Sequence, residues 1–534
     1  RYNRDTTNDP IRSEYSYTHL VDKGGSILFY KSYSSGIEGI EGYIVTVEAD
    51  VSKGIPNFTL VGLPDATVKE SKERIRSAIL NSGLKFPNKK IVINLSPSSI
   101  KKEGSHYDLP IALSILSCEY KFLEERFNKT MFFGELSLDG RIQKVEGTIP
   151  YIIAAKESEL IDKVVLPVDN SMEAEVVRGI EVYCSSSLKE TVAYLMGSDE
   201  LISLSGRPHV PRSSSSDDFS DVKGNLIAKR SAEICAAGYH NLLMIGPPGS
   251  GKSMIAKRIP GIMTSLDEDE YIQVSKIYSS IGKFNENILH RIRPFRSPHH
   301  TATMKAIIGG GQNSSPGEVV LAHKGVLFVD ELLEFEKKTL EALRQPIEDK
   351  YVNISRIKHS YRYPCDFILV AATNPCPCGN YLNPFKECIC SQHQIQNYLS
   401  RASSPLLDRF DLFAEMLPID FDEIHTETQE ESSKEIFGRV QKAIELQKHR
   451  YKKETFSYNS LIPAQKIPIY CSLGEKETYF LRSAFEKFNF SLRSYHKVLR
   501  VARTIADLDG EERISLVHLS EAVSFRKPLI KYWR

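Results

Sequence analysis

The chain has almost no net charge: 69 Lys and Arg face 68 Asp and Glu over 534 residues, a formal +1 at pH 7. A diffuse polycationic face for nucleic acid is thereby excluded, and any such surface must be local. No apolar run reaches the uninterrupted length of a membrane span, so no membrane partner is expected. No secretory signal opens the chain; residues 1–26 are polar and begin with Arg1, not Met. They read as a disordered extension, whether native, a misplaced start or a fusion remnant. Cysteine is sparse, nine residues in all, which argues for a reducing, cytoplasmic setting and against a disulfide scaffold. No repeat of solenoid period is visible. The 41% apolar content still supports several globular cores.

What is present begins with GPPGSGKS at 246–253, a complete G-x-x-x-x-G-K-[ST] phosphate loop. The apolar run NLLMI at 241–245 precedes it and a helical stretch, MIAKR at 254–258, follows. In that strand–loop–helix setting Gly246, Pro247, Pro248, Gly249, Ser250 and Gly251 turn backbone N–H groups toward a triphosphate. Lys252 reaches the β- and γ-phosphates and Ser253 ligates Mg²⁺, so ATP and Mg²⁺ are the expected cofactors. GVLFVDE at 325–331 is a strand ending in two carboxylates, Asp330 for Mg²⁺ through water and Glu331 to polarise the attacking water. FILVAATN at 367–374 ends on Asn374, an amide able to orient that water. PLLDRFD at 405–411 presents Arg409 after a helical stretch. An arginine on a subunit edge can stabilise a neighbour's transferring phosphoryl group; taken alone it is an ordinary surface ion-pair partner.

The order of these parts resembles the magnesium-chelatase-like branch of the AAA+ ATPases, and within it the YifB/ComM family. The phrases that carry the likeness are VGLPD at 61–65, KEG at 102–104 with DLPIA at 108–112, and GELSLDG at 134–140. RSPHHT at 296–301, NPCPCG at 374–379 and VARTIAD at 501–507 continue it. The resemblance implies an α/β multidomain protein. Its parts would be a Lon-protease-like domain of the ribosomal-protein-like α/β fold over 27–204, a linker over 205–220, an AAA+ core over 221–418 and a helical lid over 419–534. It implies self-assembly into a ring, by likeness a homohexamer. Arg493 matches the family's second sensor arginine, with Arg500 and Arg503 as competitors.

In the amino-terminal region YIVTV at 43–47 and KIVIN at 90–94 read as strands. Residues 65–80 have helical periodicity with Ile75, Ile79 and Leu80 on one face. Lon uses a serine activated by a lysine. Matching residues 102–108 to Lon's nucleophile loop puts His106 where the serine belongs and Ile149 about where the lysine belongs. Ser105 is one position away, with no lysine seen to activate it. An active protease is therefore not expected; a structural, oligomerising or substrate-guiding role is.

Arg291, Arg293, Arg296 and Lys305 fall in an interval where the resembling clade inserts a hairpin. Arg356, Lys358 and Arg362, with His359, Tyr361 and Tyr363, fit a second hairpin. Basic residues with aromatics bind phosphates and stack bases; a solvated charged hairpin is the plain alternative. Cys376, Cys378, Cys388 and Cys390 can close a tetrahedral Zn²⁺ site, with His393 as a substitute ligand. Their C-x-C spacing is not the usual C-x-x-C, and reduced loop thiols are the alternative. Adjacent His299 and His300 suit loop packing or a partner contact. The likeness favours a ring motor that binds and remodels DNA, a branch-migration helicase in recombination or natural transformation. The alternative is a chelatase-type motor acting on a protein partner. No D-x-S-x-S motif is found, and the attached Lon-like domain also argues against that alternative.

Overall fold

The computed structural model describes residues 28–204, 217–311, 315–355, 360–418 and 430–533. The extension over 1–26, most of the expected linker, and Arg356, Lys358 and His359 lie outside the described residues. The α/β class is as expected, and no described helix is long and apolar enough to cross a membrane.

The amino-terminal half is built on β1 (Leu28–Glu38), β2 (Glu41–Ser52), β3 (Asn57–Val61), α1 (Ala66–Asn81), β4 (Lys90–Ser96), α2 (Asp108–Leu116), β5 (Thr130–Phe132), α3 (Thr148–Glu157), β6 (Lys163–Pro167), β7 (Glu181–Ser185) and β8 (Ile202–Ser203). The strands form an eight-stranded mixed sheet in the order β8-β7-β6-β5-β1-β2-β4-β3. In β2 Val45, Val47, Ala49 and Val51 alternate into the core, the period of two that a half-buried strand requires. Asp65 caps α1, its carboxylate accepting from the Val68 N–H at 2.8 Å. Ile75 and Ile79 are buried as expected, but Leu80 is 52% exposed. One residue beyond Ile79, about 100° of rotation carries it off the apolar stripe.

The linker ends earlier than expected. Phe219 is fully buried, and Asp218 accepts from the N–H groups of Ser220 at 2.8 Å and Ser433 at 3.0 Å. Residues 217–220 thus belong to the packed nucleotide half.

That half contains α4 (Leu226–Gly238), β9 (Leu242–Ile245), α5 (Lys252–Ile262), α6 (Glu268–Ser280), β10 (Phe295–Arg296), α7 (Met304–Ile308), the hairpin β11 (Gly309–Gly310) and β12 (Ser315–Pro316), and β13 (Val326–Val329). A second hairpin, β14 (Tyr351–Ser355) and β15 (Ser360–Pro364), precedes β16 (Ile368–Thr373) and β17 (Leu412–Glu415). Five strands make a parallel sheet in the order β10-β13-β16-β9-β17. Residues of β9, β13 and β16 are buried on both faces, which is why they read as unbroken apolar runs. This order sets the carboxyl ends of β9, β16 and β13 side by side, where ligands bind in such sheets. The carboxy-terminal segment, expected to form a lid, includes α8 (Ser433–Arg450), α9 (Glu475–Phe488), α10 (Leu492–Leu508), α11 (Leu516–Ser524) and α12 (Lys527–Trp533).

The two halves pack together along α6. The Gly147 N–H donates to the Ser279 carbonyl at 2.8 Å, and the Ile149 N–H to the Ser279 hydroxyl at 3.1 Å. Ile40, Ile149 and Ile153 join the apolar cluster around Ile277 and Tyr278. Lid and sheet meet at Asp411. Lys497 of α10 donates to its carboxylate at 2.6 Å and to the Phe410 carbonyl at 3.1 Å, and the Asn241 N–H donates to the same carboxylate at 3.0 Å. Burial alone would push the Asp411 carboxyl up; the Lys497 ammonium beside it holds it well below the usual range. Asp411→Ala leaves that ammonium buried without its partner. A loss of about 3–5 kcal/mol is expected in the urea transition of the nucleotide half, and Asp411→Leu combined with Lys497→Met is expected to recover part of it.

Candidate nucleotide site

The phosphate loop leaves β9 and returns as α5. Gly249 at φ +78° and Gly251 at φ +88° take left-handed backbone that a side chain would strain. The Lys252 ammonium donates to the carbonyls of Gly246 at 2.7 Å and Pro247 at 2.8 Å, and lies 3.4 Å from Asn374 Oδ1. Burial lowers its pKa to about 8, against the pull of Asp330 and Glu331. A cation bonded to loop carbonyls at a helix N-terminus can exchange them for phosphate oxygens. The Ser253 hydroxyl donates to Asp330 Oδ2 at 2.7 Å. The two expected Mg²⁺ ligands are thus already adjacent, and the donor set fits a hard cation.

Glu331 follows at φ +50°, with its N–H donating to Asp330 Oδ1 at 2.9 Å. Its carboxylate lies 3.0 Å from His300 Nδ1, a contact that sequence reasoning missed. The His299 ring packs 4.1 Å from that of His300 and bonds Thr301 at 2.9 Å. Only strand order brings this contact about, and no local pattern in the sequence encodes it. RSPHHT leaves β10, the neighbour of the strand that ends in Asp330 and Glu331.

Arg409 is buried after the short helix Ser404–Leu407. It pairs with Glu348 and donates to the Pro405 carbonyl at 3.1 Å. Arg493 lies 3.6 Å from the same Glu348 carboxylate. Sequence reasoning named both arginines, but not the carboxylate they share.

The basic residues divide. Arg293 is buried, pairs with Glu270 at 2.8 Å and donates to the carbonyls of Thr264 at 2.6 Å and Lys324 at 2.7 Å. This corrects its assignment as a nucleic-acid contact: its charge and N–H groups are spent on the core. Arg296 makes a bidentate pair with Glu318 at 2.6 and 2.9 Å. Arg291 pairs with Glu268 at 2.6 Å and lies 4.5 Å from the Tyr271 ring centre. Lys305 is exposed, and so is Arg362, with its guanidinium 3.6 Å from the Tyr351 ring centre. Tyr363 is buried, which withdraws it from base stacking, and Tyr361 faces Gly39 of the amino-terminal half.

A cleft of about 1840 Å³ opens between the hairpins and the amino-terminal half. Ser105 on its wall donates to Glu135, while the Lys102 ammonium donates to the carbonyls of Pro97 and Ile100. His106 Nε2 lies 2.8 Å from the Ser35 carbonyl, and burial lowers the ring's pKa to about 4, so it is neutral.

The four thiols converge. Cys376 and Cys378 sulfurs are 3.4 Å apart, Cys376 and Cys388 3.7 Å, and Cys378 and Cys388 3.6 Å; Cys390 completes a group within 4.8 Å. Tetrahedral zinc with bonds of about 2.3 Å sets its sulfurs about 3.8 Å apart, whereas a disulfide requires about 2.05 Å. Burial raises the Cys378 thiol, but N–H groups of Asn380 and Ile389 and neighbouring thiols pull it down to about 6, toward the thiolate that binds metal. His393 instead lies 3.3 Å from the Asn397 amide.

Comparison with known proteins agrees with this geometry. Residues 218–424 match the family described as magnesium chelatase, subunit ChlI; residues 47–170 match subunit ChlI of Mg-chelatase, and residues 430–526 its C-terminal part. Competence protein ComM of Haemophilus influenzae is 39% identical over 508 residues, covering 92% of this chain and 96% of the relative. Uncharacterized protein YifB of Escherichia coli is 41% identical over 489 residues, covering 91% and 95%. Lon protease 2 of Bacillus subtilis is 27% identical over 161 residues, 28% of each chain. With its phosphate loop, paired carboxylates and near-complete coverage of these relatives, the chain belongs to the YifB/ComM family of magnesium-chelatase-like AAA+ ATPases.

Proposed function

We propose that this chain is a ring-forming motor that hydrolyses ATP to move and remodel DNA, as a branch-migration helicase in recombination or natural transformation does. The observation that supports the ring and hydrolysis part of this reading is the sharing of Glu348 by Arg409 and Arg493. Two guanidinium groups tied to one carboxylate are available together for a neighbouring subunit's γ-phosphate, by exchange of one anion for another. In such a ring Lys252 binds the β- and γ-phosphates. Glu331 orients the attacking water and takes its proton, Asn374 holds that water in line, and Arg409 with Arg493 stabilises the transferring charge in trans. Ser253 and Asp330 would hold Mg²⁺, which would supply positive charge against the phosphate oxygens. His300 acts through Glu331 by directing its carboxylate. Zn²⁺ is assigned to the four thiols at about one ion per chain.

DNA would meet the hairpins, through Lys305, Arg362, Arg356 and Lys358. The name of the Haemophilus relative, a competence protein, supports this substrate. A second reading has one specific support. The cleft wall carries Glu38, Asp65, Glu103, Glu135 and Glu146 against Lys101, Lys144 and Lys305, an acidic excess that suits a protein segment better than a phosphate backbone.

Glu331→Gln is expected to keep nucleotide affinity and lose on the order of a hundredfold in kcat, whereas Lys252→Ala loses nucleotide binding; unchanged turnover in the Glu331 variant removes its role. Mixing Arg409→Ala with Lys252→Ala protein is expected to restore part of the ATPase rate, because some interfaces then receive an intact half from each chain. Full activity in diluted monomers would contradict the trans assignment. Arg356→Glu with Lys358→Glu is expected to abolish DNA stimulation, spare basal hydrolysis and flatten the salt dependence of binding by about one unit of slope per lost phosphate contact. Absence of DNA binding by the unaltered protein on duplex, single-stranded and junction DNA makes the protein-partner motor the leading reading.

A further inference from the structure

We infer that metal held by Cys376, Cys378, Cys388 and Cys390 clamps the phosphate loop in its binding shape, so that nucleotide affinity depends on metal occupancy. The inference rests on the zinc and ATP assignments above.

Three observations carry it. The first is continuity of the chain. Only Pro375 separates Asn374, at the end of β16, from Cys376, which is fully buried. Anything that fixes the Cys376 sulfur therefore fixes the backbone two peptide bonds from the residue whose amide lies beside Lys252.

The second is a close approach. Gly379, at φ +79°, lies against Pro248 of the phosphate loop; a Cβ built on it would stand 2.4 Å from Pro248 Cδ and 3.7 Å from its nitrogen. The glycine is held in place by the thiol set. Its N–H donates to the Cys376 carbonyl at 3.0 Å, and the Tyr381 N–H donates to the Cys376 sulfur at 3.3 Å. The thiol loop and the phosphate loop are thus in direct contact.

The third is what the loop lacks. Its large apolar residues Leu382, Phe385 and Ile389 are 46%, 63% and 87% exposed, so it has no apolar core of its own. A segment of this size without a core requires a staple, and four sulfurs converging within 4.8 Å supply the donor set for one. Zn²⁺ has the charge, softness and tetrahedral preference for that set, and its binding releases the remaining thiol protons.

The test uses the full chain purified without chelator. Zinc content is measured by mass spectrometry and the Kd of a fluorescent ATP analogue is measured in excess Mg²⁺. Both are repeated after removal of zinc with a zinc-selective chelator and again after Zn²⁺ is restored. About one zinc per chain is expected, with nucleotide Kd weakened about tenfold on removal and recovered on reloading. Gly379→Ala is expected to keep its zinc and still bind nucleotide about tenfold more weakly, because the added carbon displaces Pro248. Absence of zinc even after reloading overturns both the zinc assignment and the clamp. Zinc present with the same Kd in loaded and stripped protein overturns the clamp alone. Gly379→Ala with unaltered Kd overturns it too, by removing the contact as the route. No nucleotide binding by zinc-loaded protein sinks the ATP assignment and the clamp together.

Discussion

The buried pair of Asp411 and Lys497 is the constraint on which the nucleotide half depends. Its carboxylate takes the Asn241 N–H at the start of the strand that delivers the phosphate loop. Asn241 in turn donates its side-chain amide to the Arg409 carbonyl at 3.0 Å and accepts the Leu369 N–H at 2.8 Å. Arg526 donates to the Phe410 carbonyl at 2.9 Å and binds the lid to the same turn. Phosphate loop, sensor strand, Arg409 and lid are thereby registered to one another through a few residues around Asn241 and Asp411. Burying two charges is costly, and the arrangement holds only because every polar atom of the carboxylate is matched.

A second coupling runs between the two halves of the chain. The β1–β2 turn of the amino-terminal sheet presents Gly39 to Tyr361 of the second hairpin, at van der Waals distance from a built Cβ. The two hairpins also touch, since a Cβ on Gly309 would stand 2.5 Å from Ile354. α6 joins the same assembly through Ser279. The elements on which DNA contacts are proposed are therefore braced by the amino-terminal half on one side and by the nucleotide sheet on the other.

Legibility in the sequence followed the range of the interaction that fixes each residue. The phosphate loop, Asp330, Glu331 and Asn374 are each written in one strand and the turn after it, so local pattern was enough. Parallel strand order, which no local pattern encodes, hid the contact of His300 with Glu331 and the joint claim of Arg409 and Arg493 on Glu348. Arg293 was misread because its partner, Glu270, lies in α6 and neutralises it from 23 positions away. Leu80 was misread for a smaller reason: a helical face is about 100° wide, and adjacent positions rarely both fit it. The thiol set was visible as composition, but its contact with Pro248 depends on Gly379 and on how two loops meet across the sheet edge.

The shared Glu348 has a consequence for assembly. In the lone subunit this carboxylate compensates the buried Arg409 and lies 3.6 Å from Arg493, which stays exposed. In the proposed ring, docking would swap this half-exposed carboxylate for a triphosphate at Arg409, whose guanidinium is already withdrawn from water, while Arg493 and Glu348 would lose water at that step. Adhesion between subunits of the proposed ring would be set by the difference between two anions. A triphosphate outbids the carboxylate, and the products of hydrolysis, with the γ-phosphate no longer attached, do so less well. In the proposed ring the interface would then act as a nucleotide gauge, its grip on the neighbour rising and falling with each turnover.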